Sequence, residues 1–365
     1  MPGVYISYPA CSQKCTYCNF ASGVLPESLE TAYLDALDRE IRGCDWPWQP
    51  ETVYLGGGTP SRMAANDLER ILSRVPGHPW REATIEAAPG GITPELVSVW
   101  MRLGITRVSL GVQSFVQREL ARTGRKHNAA IVSDEIALLR EVGLENFNVD
   151  LIAGLPGQTP DSWRESLAWI EKLAPPHVSV YMLEVDEDSR LGSEVLLNGK
   201  RYGAPEVPSD AAIAEMYETA VRELARIGIE RYEISNFAQP GFESLHNLKY
   251  WRLESYLGFG ADAHSFDGGM RRQNFESAQE YVDRVLHSQS ACVASVAAKW
   301  DEERFLVGLR LIEGVRLQAE EQARFEKPIR RFVTEGLLAL DGQNLRLTDR
   351  GVLFSNEVFA EFIGS

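Results

Sequence analysis

The stretch Val4–Phe20, "VYISYPACSQKCTYCNF", runs a short apolar segment directly into three cysteines, Cys11, Cys15 and Cys18. Its first half alternates β-branched and aromatic residues, the signature of a strand. Its second half is polar, and no fourth cysteine stands beside the three. The same juncture recurs along the chain. "TVYLGG" from Thr52, "ATIEAA" from Ala83, "RVSLGVQ" from Arg107, "FNVDLIAG" from Phe147 and "VSVYMLEV" from Val178 are each apolar and then polar or Gly-rich. Between them lie segments such as "LETAYLDALDREI" and "AAIVSDEIALLREVG", with apolar residues at three- and four-residue intervals, the helical period. Gly104 and Gly143 stand where two of these helices should stop.

Strands alternating with helices predict an α/β fold with a parallel sheet. Six such units either close towards a barrel or open into a doubly wound sheet. Cys11–Cys18, Gly56–Pro60, Glu86–Pro89, Gly111–Ser114, Gly154–Gly157 and Glu184–Glu187 all fall at or just after a strand's C-terminal end. A barrel gathers those ends on one face, so a partial (β/α)6 barrel over residues 1–205 is expected. Residues 206–290 read as a linking region that carries "HNLKYW". Residues 291–365 read as a small winged-helix-like domain, with "LLALDGQNLRLT" as a hairpin about Asp-Gly.

The 365 residues carry 37 Lys+Arg against 52 Asp+Glu, a net charge of -15, which argues against a general nucleic-acid binder. The opening "MPGVYISYP" lacks the basic start and apolar run of a secretory signal, and no segment is apolar enough to span a bilayer. A cytoplasmic protein is expected. Five cysteines, three of them clustered, suit no disulfide framework. In a reducing compartment the cluster reads as metal-binding or redox. A structural zinc would want four N/S ligands, and the nearest later histidine, His78, is distant. Inert buried thiols are the plainest alternative. The third reading is an iron–sulfur cluster with one iron left open.

CX3CX2C resembles the signature of the radical S-adenosylmethionine (SAM) superfamily, in which three cysteines hold a [4Fe–4S] cluster and SAM chelates the fourth iron. The resemblance covers nearly the whole chain. "LGGGTPS", "EAAPG", "SLGVQSF", "TGRKH", "FNVDLIAGLPGQT", "YEISNFA", "HNLKYW" and "YLGFGADAHSF" are similar, in order, to the branch that holds oxygen-independent coproporphyrinogen III dehydrogenases and HemW-type haem chaperones. That likeness implies Cys11, Cys15 and Cys18 as cluster ligands, with Tyr5 and Tyr17 near SAM. It implies Gly56, Gly57, Gly58 and Thr59 at SAM's amino-acid end, and Glu86, Gln113, Arg125 and Asp150 on its polar groups. The residues agree at two places. Glycines let a backbone approach a ligand closely, and N–H groups exposed by "GGGTP" would suit a carboxylate. Asp150 shares a pleat face with Asn148 in an apolar strand, where its charge needs a ribose hydroxyl or a salt bridge from a neighbouring strand.

Two departures separate the branches. The dehydrogenase signature adds a cysteine where this chain has Phe20, and it is preceded by an N-terminal extension where this chain's first strand starts by residue 4. Both favour the chaperones. "HNLKYW" fits their HNxxYW motif, implying His246 as an axial haem ligand with Tyr250 and Trp251 in the pocket wall. His264 is a second histidine with either a haem or a structural role. Ala88 and Asp262 stand where the family usually has Asn and Gly, and Cys44 and Cys292 read as isolated packing residues. The likeness thus implies a protein that binds a [4Fe–4S] cluster, SAM and haem. It would pass haem to an acceptor protein, soluble or membrane-bound, and draw on an electron donor. The alternative is oxidative decarboxylation of coproporphyrinogen III.

Overall fold

The computed structural model describes residues 2–363. Six parallel strands form its centre: β1 (Gly3–Tyr8), β2 (Thr52–Gly57), β3 (Glu82–Ala87), β4 (Arg107–Gln113), β5 (Phe147–Ala153) and β6 (His177–Met182). Each pairs with the next in chain order. A doubly wound sheet would reverse direction at some strand. Winding one way throughout puts every crossover helix on one face and curls the sheet towards a barrel. Helices Glu27–Arg42, Ala65–Leu72, Pro94–Arg102, Ala129–Glu141 and Pro160–Leu173 make the crossovers. Gly104 and Gly143 follow two of them with φ of 87° and 84°, the left-handed stop that glycine takes without a Cβ penalty.

The strand pleat sorts side chains by chemistry. Val4, Ile6, Val53, Leu55, Ile85, Val108, Leu110, Val149, Leu151, Val178 and Val180 are buried in the main apolar core. The alternate residues, Tyr5, Tyr54, Glu86, Ser109, Asn148, Asp150 and Ser179, line the barrel interior, which is polar. One apolar face thus stabilises the fold, and the other is left for a site.

The sheet continues at both edges to twelve strands. Beside β1 runs Tyr256–Phe259, parallel, and then His264–Phe266, Met270–Asn274 and Cys292–Ala297, all antiparallel. Beside β6 run Asn236–Ala238 and Glu230–Arg231. The segment expected to link two domains therefore supplies edge strands to the main sheet. That sheet also crosses the limit expected at residue 290, because Met270–Asn274 pairs with Cys292–Ala297. The C-terminal helices pack Phe305, Phe325 and Phe362 together with centroids 4.8–5.1 Å apart. A small sheet of Val315–Arg316, Asn344–Leu347 and Leu338–Asp341 completes the winged-helix-like part. Its hairpin turns at Gly342-Gln343, one residue later than the Asp-Gly reading. Asp341 is the last ladder residue, and Gly342 takes the positive φ of 64°. No helix among the described residues is long and apolar enough to cross a membrane.

One buried carboxylate joins the first crossover helix to the added strands. Glu40 accepts from the Tyr281 hydroxyl at 2.7 Å, the Asn274 amide at 2.8 Å and the Gly260 N–H at 2.8 Å. Glu40→Ala would strand three buried donors. It should destabilise the protein by roughly 3 kcal/mol or more, read as a lower urea midpoint, whereas Glu40→Gln, which keeps an acceptor oxygen, should cost less.

Candidate metal centre and its cavity

The three cysteines lie on the loop that leaves β1, and all are free thiols. The loop is closed at its base by Cys11 N–H to the Gly23 carbonyl at 2.8 Å and Gly23 N–H to the Pro9 carbonyl at 2.9 Å. Other strand ends hold its outer part. Thr16 N–H reaches the Thr123 carbonyl at 3.3 Å, Leu191 N–H reaches the Thr16 carbonyl at 2.8 Å, and Asn19 donates to Asp186 at 2.7 Å. Burial pushes the Cys11 thiol up, and the charges of Cys18 and Cys15 push the same way, while bonds to Thr59 and Ser22 oppose them. Among the described residues no three His, Cys, Asp or Glu side chains converge as ligands of a single metal ion.

The glycines after β2 press against this loop. Gly58 N–H donates to the Tyr8 carbonyl at 2.7 Å and Thr59 N–H to the Ala10 carbonyl at 3.0 Å. A Cβ on Gly58 would lie 2.8 Å from the Pro9 and Ala10 backbone. Gly57, at φ 103°, gives its N–H to Glu86. The expectation that these N–H groups await a carboxylate is thus corrected, because the chain itself uses them.

At the end of β4, a break in register between Leu110 and Gln113 re-aims the strand. Gln113 sits at φ 72°, a conformation that a side chain this size rarely takes. Its Oε1 and the Nε of Arg125 are buried without a partner, and both side chains lie over Gly111. Arg125 also donates to the Tyr17 hydroxyl at 3.1 Å. Burial works against the Arg125 charge, but Tyr17, Cys15 and Asp150 together hold it. Unsatisfied, oriented polar atoms of this kind fit a polar ligand such as SAM.

Among the described residues Asp150 makes no salt bridge. It accepts from Asn148 at 2.6 Å and Ser109 at 3.2 Å. Burial pushes its carboxyl up and these bonds oppose the shift. Glu86 accepts from the Tyr54 hydroxyl at 2.9 Å, and burial pushes it up to about 7. It borders both the small polar cavity around Asp150 and a larger one above.

That larger cavity holds about 490 Å³. Tyr5, Gly57 and Glu86 form its inner end, Phe20 and Ala21 of the cysteine loop form one side, and Tyr250, Trp251, Tyr256 and Phe266 form an aromatic wall. Tyr250 and Tyr256 meet edge to face at 4.7 Å. Leu253, Tyr256 and Phe266 form an apolar cluster separate from the main core. Phe20 is 61% exposed at the mouth. Sequence reasoning missed Tyr256, Phe266 and Arg271 as lining residues. The aromatic spacing in "YLGFGADAHSF" was their only signal. Asp262 also lines the cavity, at φ 57°, which explains why glycine suits that position and aspartate is tolerated. Nothing in the structure accounts for Ala88.

His246 does not reach this cavity. It is 1% exposed, in the helix Leu245–Trp251, with Nδ1 bonded to Thr52 Oγ1 at 2.8 Å and Nε2 to the Tyr250 hydroxyl at 2.8 Å. Thr52 begins β2, so the imidazole sits beneath the strand starts, at the opposite end from the cysteines. Burial and the Lys249 charge push it down to about 3. Both ring nitrogens, where an axial ligand was expected, are thus taken, and the imidazole bonds Tyr250 in the wall. Tyr250 and Trp251 do face the cavity.

Comparison with known proteins adds independent findings. The chain matches the Radical SAM superfamily over residues 5–170 and the HemN C-terminal domain over residues 302–354. It is 35% identical to the protein named heme chaperone HemW of Lactococcus lactis, over 98% of this chain and 96% of that one. It is 33% identical to the HemW of Bacillus subtilis over the full length of both. Its fold superposes on the Escherichia coli coproporphyrinogen III oxidase HemN, described as a radical SAM enzyme, with a TM-score of 0.85. There the identity is 21%, covering 100% of this chain and 90% of that one.

Glu86 gives a pH test. An unfolded Glu ionises near its ordinary 4.5, and the folded one only near 7. Between these values the unfolded chain releases a proton that the folded chain keeps, so stability falls as pH rises, by at most about 1.4 kcal/mol per pH unit from this group. Glu86→Gln should remove that share of the slope. Without ligands it should melt higher than the parent above pH 7 and alike below pH 4.5, measured by thermal unfolding across the range.

Proposed function

The chain belongs to the HemW family of the radical SAM superfamily, and from that premise we propose that it is a haem carrier that also holds a [4Fe–4S] cluster and SAM. The observation that carries this reading is the aromatic cavity opening beside the three-cysteine loop. Cys11, Cys15 and Cys18 would hold the cluster, which when bound supplies an iron open to SAM and a route for one electron. Gly56 to Thr59 would meet SAM's amino-acid end, with Gln113 and Arg125 on its polar groups. Tyr5, Tyr17, Glu86 and Asp150 would surround the rest. Tyr250 and Trp251 would pack on the haem, with Tyr256 and Phe266 beside them. Residues 1–205 would then serve cluster and SAM, residues 206–290 the haem, and residues 291–365 the packing of both.

Haem is cargo in this reading, held by packing and released to an acceptor protein, with an electron donor meeting the cluster. Phe20 at the cavity mouth favours it, since an apolar side chain there can cover a macrocycle but cannot take or give a proton. A second reading draws on the same cavity. Because Glu86 and Gly57 border it, a tetrapyrrole bound there would lie at the SAM end of the barrel. Oxidative decarboxylation of coproporphyrinogen III, the chemistry of the dehydrogenase branch, is therefore the alternative.

Anaerobic titration of reconstituted protein with haemin should saturate near one haem per chain, followed by absorbance. Cys18→Ala should lose most of its iron and sulfide. Formation of 5′-deoxyadenosine and CO2 from coproporphyrinogen, with no saturable haem binding, would replace the carrier with the enzyme.

A further inference from the structure

The cavity needs something besides aromatic faces if it is to hold a metalloporphyrin: a donor atom aimed at the iron. Six histidines are available in the chain. His177 is buried with Nδ1 on Asn148 at 2.7 Å and Nε2 on the Tyr232 hydroxyl at 2.9 Å. His127 is buried with Nε2 on the Val112 carbonyl at 3.1 Å. His287 bonds the Asp283 carbonyl at 2.5 Å on the surface helix Ala278–Leu286 side, and His78 lies edge-on to Trp80 at 5.1 Å. His246 is committed at both nitrogens beneath the strands. None of these five lines the cavity.

His264 does. It is exposed, it lines the cavity, and among the described residues its ring has no hydrogen-bond partner. It opens the short strand His264–Phe266, which runs antiparallel to Met270–Asn274 with His264 opposite Gln273. Residues two apart in a strand share a face, so the imidazole and the Phe266 ring project to the same side. Both are cavity residues, as that geometry requires. The strand pairs with Met270–Asn274 and, at Phe266, with Tyr256, so the sheet sets which side His264 projects from. Phe266 in turn is paired in register with Arg271, whose guanidinium lies 4.6 Å from its ring and bonds Glu303 at 2.6 Å. An imidazole with a free nitrogen, set beside aromatic faces, is the ordinary protein ligand of haem iron.

We infer that His264, and not His246, is the axial ligand of the haem that this protein carries. The inference rests on the carrier reading above. It assigns to His246 the role of a positioning residue, which acts on the haem only by holding Tyr250 in the wall. One nitrogen of His264 would bond the iron, and the other would remain open to water at the mouth, leaving the bond weak enough for the cargo to be handed on.

The test compares the haem complexes of the full-length reconstituted protein and three variants, His264→Ala, His264→Met and His246→Asn. It uses absorbance and electron paramagnetic resonance with haemin as the probe. Haem-free melting of each variant serves as the control for folding. Because His264 is exposed and unbonded, its variants should melt with the parent. His264→Ala should bind haemin roughly tenfold or more weakly. Its Soret band should shift and be restored by added imidazole, and His264→Met should give a third spectrum. His246→Asn should melt lower yet keep the parental spectrum in its folded fraction. A parental spectrum and affinity in His264→Ala, with an altered spectrum in His246→Asn, would overturn the assignment and leave the carrier reading intact. A parent protein that binds no haemin would overturn both.

Discussion

Two chain segments that leave neighbouring strands run on together as backbone against backbone, and the site depends on that contact. Past the ends of β1 and β2, Gly58 and Thr59 continue the parallel hydrogen bonding onto the Tyr8 and Ala10 carbonyls. Cys11 follows immediately. A side chain at residue 58 would collide with main-chain atoms that have no room to move. The glycines are therefore needed less for their freedom than for their lack of bulk. They let β2 act as a template for the cysteine loop.

Around that contact the barrel divides its labour by pleat. Residues of one parity enter the apolar core. Those of the other parity build a polar surface from Tyr54 and Glu86 to Ser109, Asn148, Asp150 and Ser179, bonded between consecutive strands and, at Asn148 and Asp150, within one strand. Burial makes each member dependent on the next, because an unmade bond in that interior is expensive. Glu86 ends the series where the polar interior meets the aromatic cavity, and its raised pKa reflects that border.

Much of this was legible in the sequence because it is local. Strand alternation, helical spacing and glycine stops each depend on a few adjacent residues, and all six barrel strands follow them closely. The pairing of Tyr256–Phe259 with β1 was not legible, since it joins segments about 250 residues apart through a short, Gly-containing strand with little pattern of its own. The placement of His246 has the same root. "HNLKYW" names a histidine beside aromatic residues, but the destination of that histidine is decided by where the next strand docks. Docking next to β1 carries the helix under the strand starts, where Thr52 meets the ring. Which N–H groups of "GGGTP" are free is hidden likewise, because their acceptors come from another strand.

The order in which the ribosome delivers these pieces has a consequence. The cysteine loop and the template strand are complete by residue 60, whereas the aromatic wall waits for residues 250–266, and Val307 is the last cavity residue to appear. Throughout that interval β1 offers an open edge, and the loop has no roof. Domains form as synthesis proceeds, and contacts of high sequence separation form late. The nascent chain is thus able to shape its cysteine loop while the aromatic wall of the cavity is still missing. On the carrier reading, cargo loading would be deferred, by topology alone, until the polypeptide is nearly finished.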